Sequence, residues 1–318
     1  MTRSSRPLAI AAVIAAMLIW GSTFVVTKAA ATEIPALSLA WLRFVVAAVV
    51  LLPIALARGA LKRLPTRLPW GVLAWMAFSG MALFTIAFNY ALIFAAATQG
   101  AFIFAALPAA IALAAVLILK ERPTARRIAG VLLSIVGVAL VIANAEHHAT
   151  SPQPFVGALW MLGAVLAWTC YTVIAKRVEA LDQIGVITWV TLIAVVMLLP
   201  LAAIETAQRP WTMPSLQAWA GVLFLGVIAS ALAYVAYGYA LRHLEASLVG
   251  VFTNLDPIVG VLTAVLVMGE PLHSTQIVGG VVALSGMWLA SATTSSSPHR
   301  TPAGADDGGS QPHRPSRS

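Results

Sequence analysis

The sequence predicts an all-α integral membrane protein with ten transmembrane helices, arranged as two inverted five-helix repeats around a central cavity. Three observations lead to this prediction. Hydrophobic residues make up 60% of the chain and charged residues only 9%, with a mean hydropathy of +0.92. Apolar runs of about 20 residues recur along the chain, and each is long enough to cross a hydrocarbon core of about 30 Å. Residues of rare types also repeat at a nearly constant spacing.

The composition argues against a water-soluble domain. Soluble globular chains carry about a quarter charged residues, and 318 residues could not bury this much apolar surface from water. The formal charge of +8 comes from Lys and Arg in short loops between apolar runs, so it indicates membrane topology rather than nucleic-acid binding. The single cysteine, Cys170, allows neither a disulfide nor a thiolate metal site within one chain. No cofactor is predicted.

Ten apolar runs, each followed to its polar or Pro-containing ends, define the predicted spans. They cover residues 8–29, 37–57, 70–94, 98–119, 126–144, 155–175, 185–204, 216–240, 247–268 and 274–292. The first run also resembles a cleaved signal peptide. It is long enough to span the bilayer and has a counterpart in the second half, so we interpret it as a retained helix.

The spans divide the chain into five parts. A cytoplasmic N-terminus (1–7) precedes a first five-helix repeat (8–144), an extracytoplasmic linker (145–154), a second five-helix repeat (155–292) and a cytoplasmic tail (293–318). The tail is rich in Thr, Ser, Pro, Gly and charged residues, a composition that predicts disorder because it buries little apolar surface.

Basic residues predict the orientation. With the N-terminus inside, all but three of the 19 Lys and Arg residues lie on the cytoplasmic side. Lys28 and Arg209 fall outside, and Arg43 lies within the second span. Since Lys and Arg concentrate on the cytoplasmic side of membrane proteins, both termini are expected there, in a bacterial-type inner membrane.

Aligning the two halves pairs residues of rare types at offsets of 148 or 149. The pairs are Trp20 with Trp168, Lys28 with Lys176, Trp41 with Trp189, Tyr90 with Tyr239, Pro108 with Pro257, Glu121 with Glu270, Gly130 with Gly279, and Gly137 with Gly286. Each half contains an odd number of spans, so the second half enters the membrane from the opposite side. Two inverted halves can exchange conformations and expose a site between them to each side in turn.

Several motifs carry a resemblance to a known family. Trp20-Gly-Ser-Thr-Phe-Val-Val-Thr-Lys28, Trp41-Leu-Arg-Phe44 and Leu119-Lys-Glu-Arg-Pro-Thr124, followed by Gly130 and Gly137, resemble the EamA module of the drug/metabolite transporter superfamily. The second half repeats the pattern in Val267-Met-Gly-Glu-Pro-Leu272. The resemblance implies a ten-helix carrier of amino acids, other metabolites or toxic compounds, often an exporter. The two halves differ at Leu107, which aligns with Asp256.

Asp256 is the predicted coupling residue. It falls near the centre of the ninth span, where a charged side chain costs several kcal/mol unless it finds a partner, water or a proton. It could couple protons to transport or balance the charge of a cationic solute. The alternative is a neutral, hydrogen-bonded carboxyl group that fixes the break before Pro257. Pro257 and its counterpart Pro108 each remove a helical hydrogen bond, so we expect a kink at each, either as a hinge or through packing alone.

Aromatic and polar residues inside the spans are the predicted cavity lining. Ser230, Tyr234 and Tyr237 share one helical face, as do Thr85 and Asn89, and Trp168 shares a face with Tyr171. Lipid would not satisfy their hydrogen bonds, although helix-to-helix bonding or packing is the simpler alternative. The candidates are Trp20, Thr85, Asn89, Trp168, Tyr171, Ser230, Tyr234, Tyr237 and Asn254.

Three charged residues are assigned structural roles. Arg43 could reach toward the outer surface or hold an acidic partner or carbonyl groups. The EamA pattern has an arginine near this position, and the resemblance therefore favours a structural clamp. Glu121 and Glu270 precede the fifth and tenth spans, where a carboxylate favours a helix N-terminus. The adjacent His147 and His148 have no further ligand cluster, so no metal site is predicted.

The sequence thus predicts a secondary transporter of amino acid-like or amphipathic and cationic compounds, working by alternating access and most simply an exporter. Its partners would be a small solute, the bilayer and protons as a candidate coupling ion. No Walker-type loop supports ATP coupling. A polytopic membrane enzyme acting on a lipid-like substrate is the alternative, but neither an HExxH helix nor a Gly-x-Ser-x-Gly elbow is present. We therefore predict no enzymatic activity.

Overall fold

The structure is a computed structural model that describes residues 5–65, 67, 69–119, 124–143, 152–178, 180–244, 249 and 252–291. Within these ranges the regular structure is entirely helical. The α-helices are α1 (Ser5–Ala30), α2 (Ala36–Ala57), α3 (Trp70–Met76), α4 (Phe84–Phe94), α5 (Ala97–Phe104), α6 (Leu107–Leu119), α7 (Ala125–Ala143), α8 (Pro154–Ala175), α9 (Gln183–Gln208), α10 (Leu216–Leu223), α11 (Ala233–His243), α12 (Leu255–Met268) and α13 (Ser274–Ser291).

Eight helical stretches in the described part of the chain are long and apolar enough to cross a bilayer. They are Arg6–Ala30, Ala36–Ala57, Trp70–Phe94, Ala97–Ile118, Ala125–Ala143, Pro154–Val178, Gln183–Gln208 and Leu216–Ala240. The helices α12 and α13 are apolar but shorter. Part of the predicted ninth span, 247–268, lies outside the described residues. The chain is therefore a multi-pass membrane protein.

Local sequence signals set several helix ends. Asp182 accepts hydrogen bonds from the backbone N–H groups of Ile184 and Gly185 at the start of α9. Ser215 does the same for Ala218 at the start of α10. These are N-caps, which satisfy donors that a helix leaves unpaired. Gly269, with φ of 66°, ends α12 in the left-handed conformation that glycine adopts without strain.

Regular helix is interrupted just before both paired prolines, at the positions where the sequence predicts kinks. The helix α5 ends at Phe104, and α6 begins at Leu107 with Pro108 as its second residue. Likewise α12 begins at Leu255, two residues before Pro257. A proline in the first turn of a helix leaves no hydrogen bond unmade, so starting a new helix avoids the clash that a mid-helix proline creates.

Two π-helical segments interrupt the third and eighth membrane-spanning stretches. The first, Ala77–Leu83, joins α3 to α4, and the second, Phe224–Leu232, joins α10 to α11. At the repeat offset of 149, the first segment maps onto 226–232. A π-helical turn adds a residue and rotates the side chains that follow it. Ser230 lies within the second segment, whereas Tyr234 and Tyr237 follow it. The face that these three residues would share in a regular α-helix is therefore displaced.

Four paired glycines hold α7 against α13. An ideal Cβ at Gly130 would lie 2.9 Å from the Gly286 carbonyl oxygen, and one at Gly286 would lie 2.7 Å from the Gly130 oxygen. Gly137 and Gly279 approach each other in the same reciprocal way, at 2.7 and 2.9 Å. Glycine allows two helix backbones to pack this closely in a membrane. Exchanging the two halves turns one of these contacts into the other.

Carboxylates join helices at one end of the bundle. Glu205, at the end of α9, accepts hydrogen bonds from the backbone N–H groups of Leu37 and Ser38 at the start of α2, at 3.2 and 2.8 Å. Glu33, which follows α1, accepts bonds from the N–H and hydroxyl of Ser215 before α10. These bonds lower the pKa of Glu33 because they stabilise its charged form.

Glu270 has a different partner from the one the sequence predicted. Its carboxylate accepts bonds from the backbone N–H groups of Ala97 and Thr98 at the start of α5, both at 2.8 Å, rather than capping the helix that follows it. Lys28 lies 3.5 Å from the same carboxylate and donates to the Ala95 carbonyl. The α5 N-terminus is close in space, and its unpaired donors bind the anion. The paired residue Glu121 lies outside the described residues.

Candidate solute-binding site

Aromatic side chains from both halves meet inside the bundle. The Trp20 ring lies 5.3 Å from that of Tyr234 and 5.2 Å from that of Tyr237, measured between centroids. Trp168 lies 4.9 Å from Tyr171 and 6.4 Å from Tyr234. The paired tryptophans thus contact the same tyrosine from α1 and α8. We call Trp20, Trp168, Tyr171, Tyr234 and Tyr237 the aromatic cluster.

Both π-helical segments position this cluster. The Nε1–H of Trp20 donates to the carbonyl of Ala229 in the second segment, at 3.0 Å. The ring of Tyr171 packs directly on Gly80 in the first segment, where an added Cβ would overlap it. Gly80 and Ala229 are equivalent at the repeat offset of 149. Equivalent positions of the two π-helical segments therefore each contact one member of the aromatic cluster: Ala229 contacts Trp20, and Gly80 contacts Tyr171.

The five aromatic residues are half-buried rather than fully packed. The three tyrosine rings pack on the two tryptophans: Tyr234 and Tyr237 on Trp20, and Tyr171 on Trp168. Aromatic faces with a few polar groups among them are typical of sites that bind small organic molecules. The arrangement therefore offers flat apolar walls and three hydroxyl groups to a solute.

Phe84 extends the aromatic cluster, and the sequence did not single it out. Its ring lies 4.9 Å from that of Trp168 and 5.6 Å from that of Phe88. It follows directly after the first π-helical segment. A phenylalanine in an apolar span carries no signal of its own, and its position next to Trp168 depends on that segment.

Arg43 is buried beside the cluster. Its Nε–H donates to the Ser230 hydroxyl at 2.6 Å. The helix α2 can approach this closely because Gly226 faces Val46, where an added Cβ would lie 2.5 Å from the Val46 Cβ. Arg43 therefore joins α2 to the second π-helical segment through a hydroxyl. No carboxylate pairs with it in the described part of the chain.

Asp256 lies in the first turn of α12 rather than in mid-helix. Its backbone carbonyl faces Gly21, where an ideal Cβ would be 2.7 Å away, next in sequence to Trp20. Its Oδ1 atom is enclosed, and no described residue donates a hydrogen bond to it. The neighbouring Asn254 is half-buried at the break before α12. Asp256 thus packs against α1, the helix that carries Trp20.

Two of the predicted cavity residues lie in helix contacts. Asn89 is 1% exposed, and its side-chain amide donates to the Ala36 carbonyl at 2.8 Å, which joins α4 to the start of α2. Thr85, one turn earlier, is equally buried. Asn89 therefore makes a helix-to-helix hydrogen bond, which is the alternative to cavity lining that the sequence left open. Within the described ranges, no group of His, Cys, Asp and Glu residues could hold a metal ion.

Comparison with known proteins agrees with this architecture. The model of the EamA-like transporter family matches residues 7–143 and again residues 155–292. Because both halves of this multi-pass helical protein match a transporter family, the protein is a membrane transporter. The chain belongs to the EamA-like transporter family.

Relatives and a solved structure extend the match. The chain is 25% identical over 277 residues to "Uncharacterized transporter YetK" of Bacillus subtilis, covering 86% of this chain and 84% of that protein. It is 26% identical over 296 residues to a "Probable amino-acid metabolite efflux pump" of Salmonella typhimurium, covering 86% and 91%. A protein of known crystal structure shares the fold with a TM-score of 0.62 at 19% identity, over 91% of this chain and 97% of that one.

Proposed function

We propose that this protein is a secondary transporter that exports amino acid-like or amphipathic compounds by alternating access. It is built from two inverted five-helix repeats, 8–144 and 155–292. The aromatic cluster is the observation that carries the proposal. It is half-buried, it combines residues of both halves, and Tyr234 contacts the paired Trp20 and Trp168. A solute bound there would contact both halves, so their relative movement would transfer it between the two sides.

Several features map onto one another when residues of one half are replaced by their counterparts in the other, and these correspondences support the inverted repeat. The contact of Gly130 with Gly286 becomes that of Gly279 with Gly137. The two π-helical segments and the two breaks before proline also correspond at the same offset. A pseudo-twofold arrangement of ten helices accounts for all three correspondences, because each half then folds in the same way.

The carboxylate contacts hold helices together at one end of the bundle. Glu33, Glu205 and Glu270 each bind the N-terminus of a helix at that end. With the predicted orientation this is the extracytoplasmic end. Opening of the site to that side would require these contacts to separate, and an alternating-access cycle includes such a step.

The names of relatives bear on the solute. The efflux pump of Salmonella typhimurium is named for amino-acid metabolites. Aromatic walls with phenol hydroxyls suit a solute that combines an apolar side chain with polar groups. We therefore assign this protein an amino acid-like solute and the direction of export.

Asp256 is the proposed coupling residue. Its enclosed Oδ1 atom lacks a hydrogen-bond donor among the described residues, and its chain position lies against Gly21, next to Trp20. A carboxyl group inside a membrane can bind and release a proton when its surroundings change. Proton uptake on one side and release on the other would drive export against a concentration gradient.

Proteoliposomes test this function. The purified protein is reconstituted with a pool of labelled amino acids and cationic drugs, and efflux is measured with and without a proton gradient for the wild type and Asp256→Asn. We expect gradient-driven efflux by the wild type. Asp256→Asn should lose the effect of the gradient while exchange of solute continues, because the variant keeps the side-chain shape and loses the titratable group.

The same experiment can contradict the proposal in two ways. Exchange that neither the gradient nor Asp256→Asn changes would remove Asp256 from coupling and make the protein a facilitated exchanger. Movement of no member of the pool above protein-free liposomes would contradict the assigned solute class. Asp182→Asn is the matched control, because Asp182 precedes the membrane-spanning stretch Gln183–Gln208, caps α9 and pairs with the exposed Arg63.

A further inference from the structure

Arg43 is a buried cation whose described partners do not neutralise it. The residue is only 7% exposed. Its polar contact is the 2.6 Å bond from Nε to the Ser230 hydroxyl, and its Cζ lies 5.8 Å from the ring centroid of the neighbouring Phe44. Within the described part of the chain, its two terminal nitrogens contact no acceptor. The positive charge therefore has no counter-ion there.

A guanidinium group inside a membrane requires more than one hydroxyl. It carries five N–H donors, stays charged at any physiological pH and is costly to bury without an anion. The Ser230 hydroxyl accepts one bond and brings no negative charge. The remaining donors form a planar fork that matches the two oxygens of a carboxylate. The group is thus arranged to bind an anion that comes from outside the chain.

The internal repeat provides a comparison for this contact. Arg43 corresponds to Thr191 at an offset of 148, and Ser230 corresponds to Met81 at an offset of 149. Thr191 contacts Met81, with 3.7 Å between Oγ1 and Sδ. The equivalent helix and π-helical segment, α9 and Ala77–Leu83, are therefore joined by a neutral pair. A structural clamp needs no charge at this position, so the charge of Arg43 calls for a different explanation.

Arg43 also lies near the aromatic cluster. Its hydrogen-bond partner Ser230 precedes Tyr234 by four residues, and Tyr234 contacts both Trp20 and Trp168. An anion bound to Arg43 would therefore lie at the edge of the aromatic walls. The apolar part of the same molecule could then lie against the walls.

We propose that Arg43 binds the carboxylate of the transported solute, so that the protein selects amino acids over amines of the same shape. The inference rests on the proposed function and names the recognition residue of its site. A carboxylate carries one negative charge and neutralises the single positive charge of Arg43. Selection follows because an amine without the carboxylate leaves that charge unpaired in the membrane.

Ligand pairs that differ only in the carboxylate test this role. The probes are L-phenylalanine with phenethylamine and L-leucine with isopentylamine. Binding is measured as the ligand-dependent rise in Tm of the purified protein in detergent. We expect the wild type to bind the amino acid of at least one pair, more tightly than its amine. Arg43→Gln should weaken that binding about 30-fold or more and leave amine binding within about threefold.

Two further variants separate recognition from folding. Arg43→Lys keeps the charge but loses the planar fork, so it should weaken amino-acid binding less than Arg43→Gln does. Arg209→Gln removes an exposed arginine outside the spans and should bind like the wild type. A loss of folded protein would weaken the signals of both ligands together. Comparing the two ligands within each variant therefore separates such a loss from a loss of carboxylate recognition.

The outcomes distinguish this inference from the proposed function. Equal loss of both members of a pair in Arg43→Gln, or no amino-acid preference in the wild type, would overturn the role of Arg43. Transport in proteoliposomes is measured separately with the same pairs. Carboxylate-dependent binding without transport would support the role of Arg43 and contradict the transporter. Transport without carboxylate preference would support the transporter and overturn the inference.

Discussion

At the scale of single residues, the site depends on a few aromatic side chains placed by both halves of the chain. Trp20 and Trp168 correspond in the repeat, and each contacts Tyr234. Trp20 is fixed by a hydrogen bond to Ala229, whereas Trp168 lies between Phe84 and Tyr171. Among the described residues the Trp168 indole N–H has no hydrogen-bond acceptor, unlike that of Trp20, so removal of Trp168 should affect a solute more than the fold.

Replacing Trp168 with alanine is expected to weaken solute binding. Loss of one aromatic wall should raise the solute concentration for half-maximal transport about tenfold, the effect of about 1.4 kcal/mol. Trp75→Ala is the matched control, because Trp75 is 48% exposed and contacts Phe78 outside the aromatic cluster. Concentration-dependent uptake into proteoliposomes measures both. Equal effects of the two variants would contradict a binding role for Trp168.

Residue types alone predict several members of the candidate site. The five members of the aromatic cluster were candidates because they are large or polar groups within apolar spans and because the tryptophans are paired. Asn89 was a candidate for the same reason, but its bond to Ala36 depends on a helix from elsewhere in the sequence. The partner of Glu270 was misassigned for the same cause, since only the fold brings Ala97 to it.

At the scale of helices, the interruptions are as informative as the spans. Eight of the ten apolar runs match stretches long enough to span a bilayer, because length and hydropathy decide whether a helix crosses it. The breaks before Pro108 and Pro257 were signalled by proline, although as kinks. The π-helical segments had no comparable signal, because an i to i+5 turn requires no special residue.

The glycine contacts of α7 and α13 lead to a prediction at this scale. Gly137→Ala would place a Cβ on the Ala283 backbone nitrogen, so the helices must separate. Such overpacking typically costs about 1–3 kcal/mol. Gly71→Ala is the control, since an added Cβ there has no heavy atom within 4 Å. Thermal unfolding in detergent should show a lower Tm only for Gly137→Ala. Equal Tm values would contradict the close packing.

At the scale of the whole molecule, the sequence predicts the internal repeat but not the contacts between the two halves. The offsets of 148 and 149 identified corresponding residues. They did not reveal that Gly130 contacts Gly286 or that one end of the bundle is joined by carboxylates. Those contacts are between halves, and sequence similarity within each half carries no information about how the halves meet.

The predicted orientation can be tested by labelling. Since Cys170 is the single cysteine, Cys170→Ser gives a cysteine-free background. Met213 is 85% exposed and lies in the loop before α10, and Arg67 lies in the loop before α3. In intact cells, a membrane-impermeant thiol reagent should label Met213→Cys and not Arg67→Cys. Permeabilised cells should label both, which controls for expression. The reverse pattern in intact cells would contradict the orientation.

The central claim is that a solute bound between two inverted halves is carried across the membrane. Counterflow tests it most directly: proteoliposomes loaded with unlabelled amino acid are diluted into a trace of the labelled form. Alternating access predicts that label accumulates transiently inside, above its final level, because each outward passage of unlabelled solute returns the site for inward passage. A steady rise to equilibrium whatever the internal concentration, or uptake no faster than in protein-free liposomes, would contradict it.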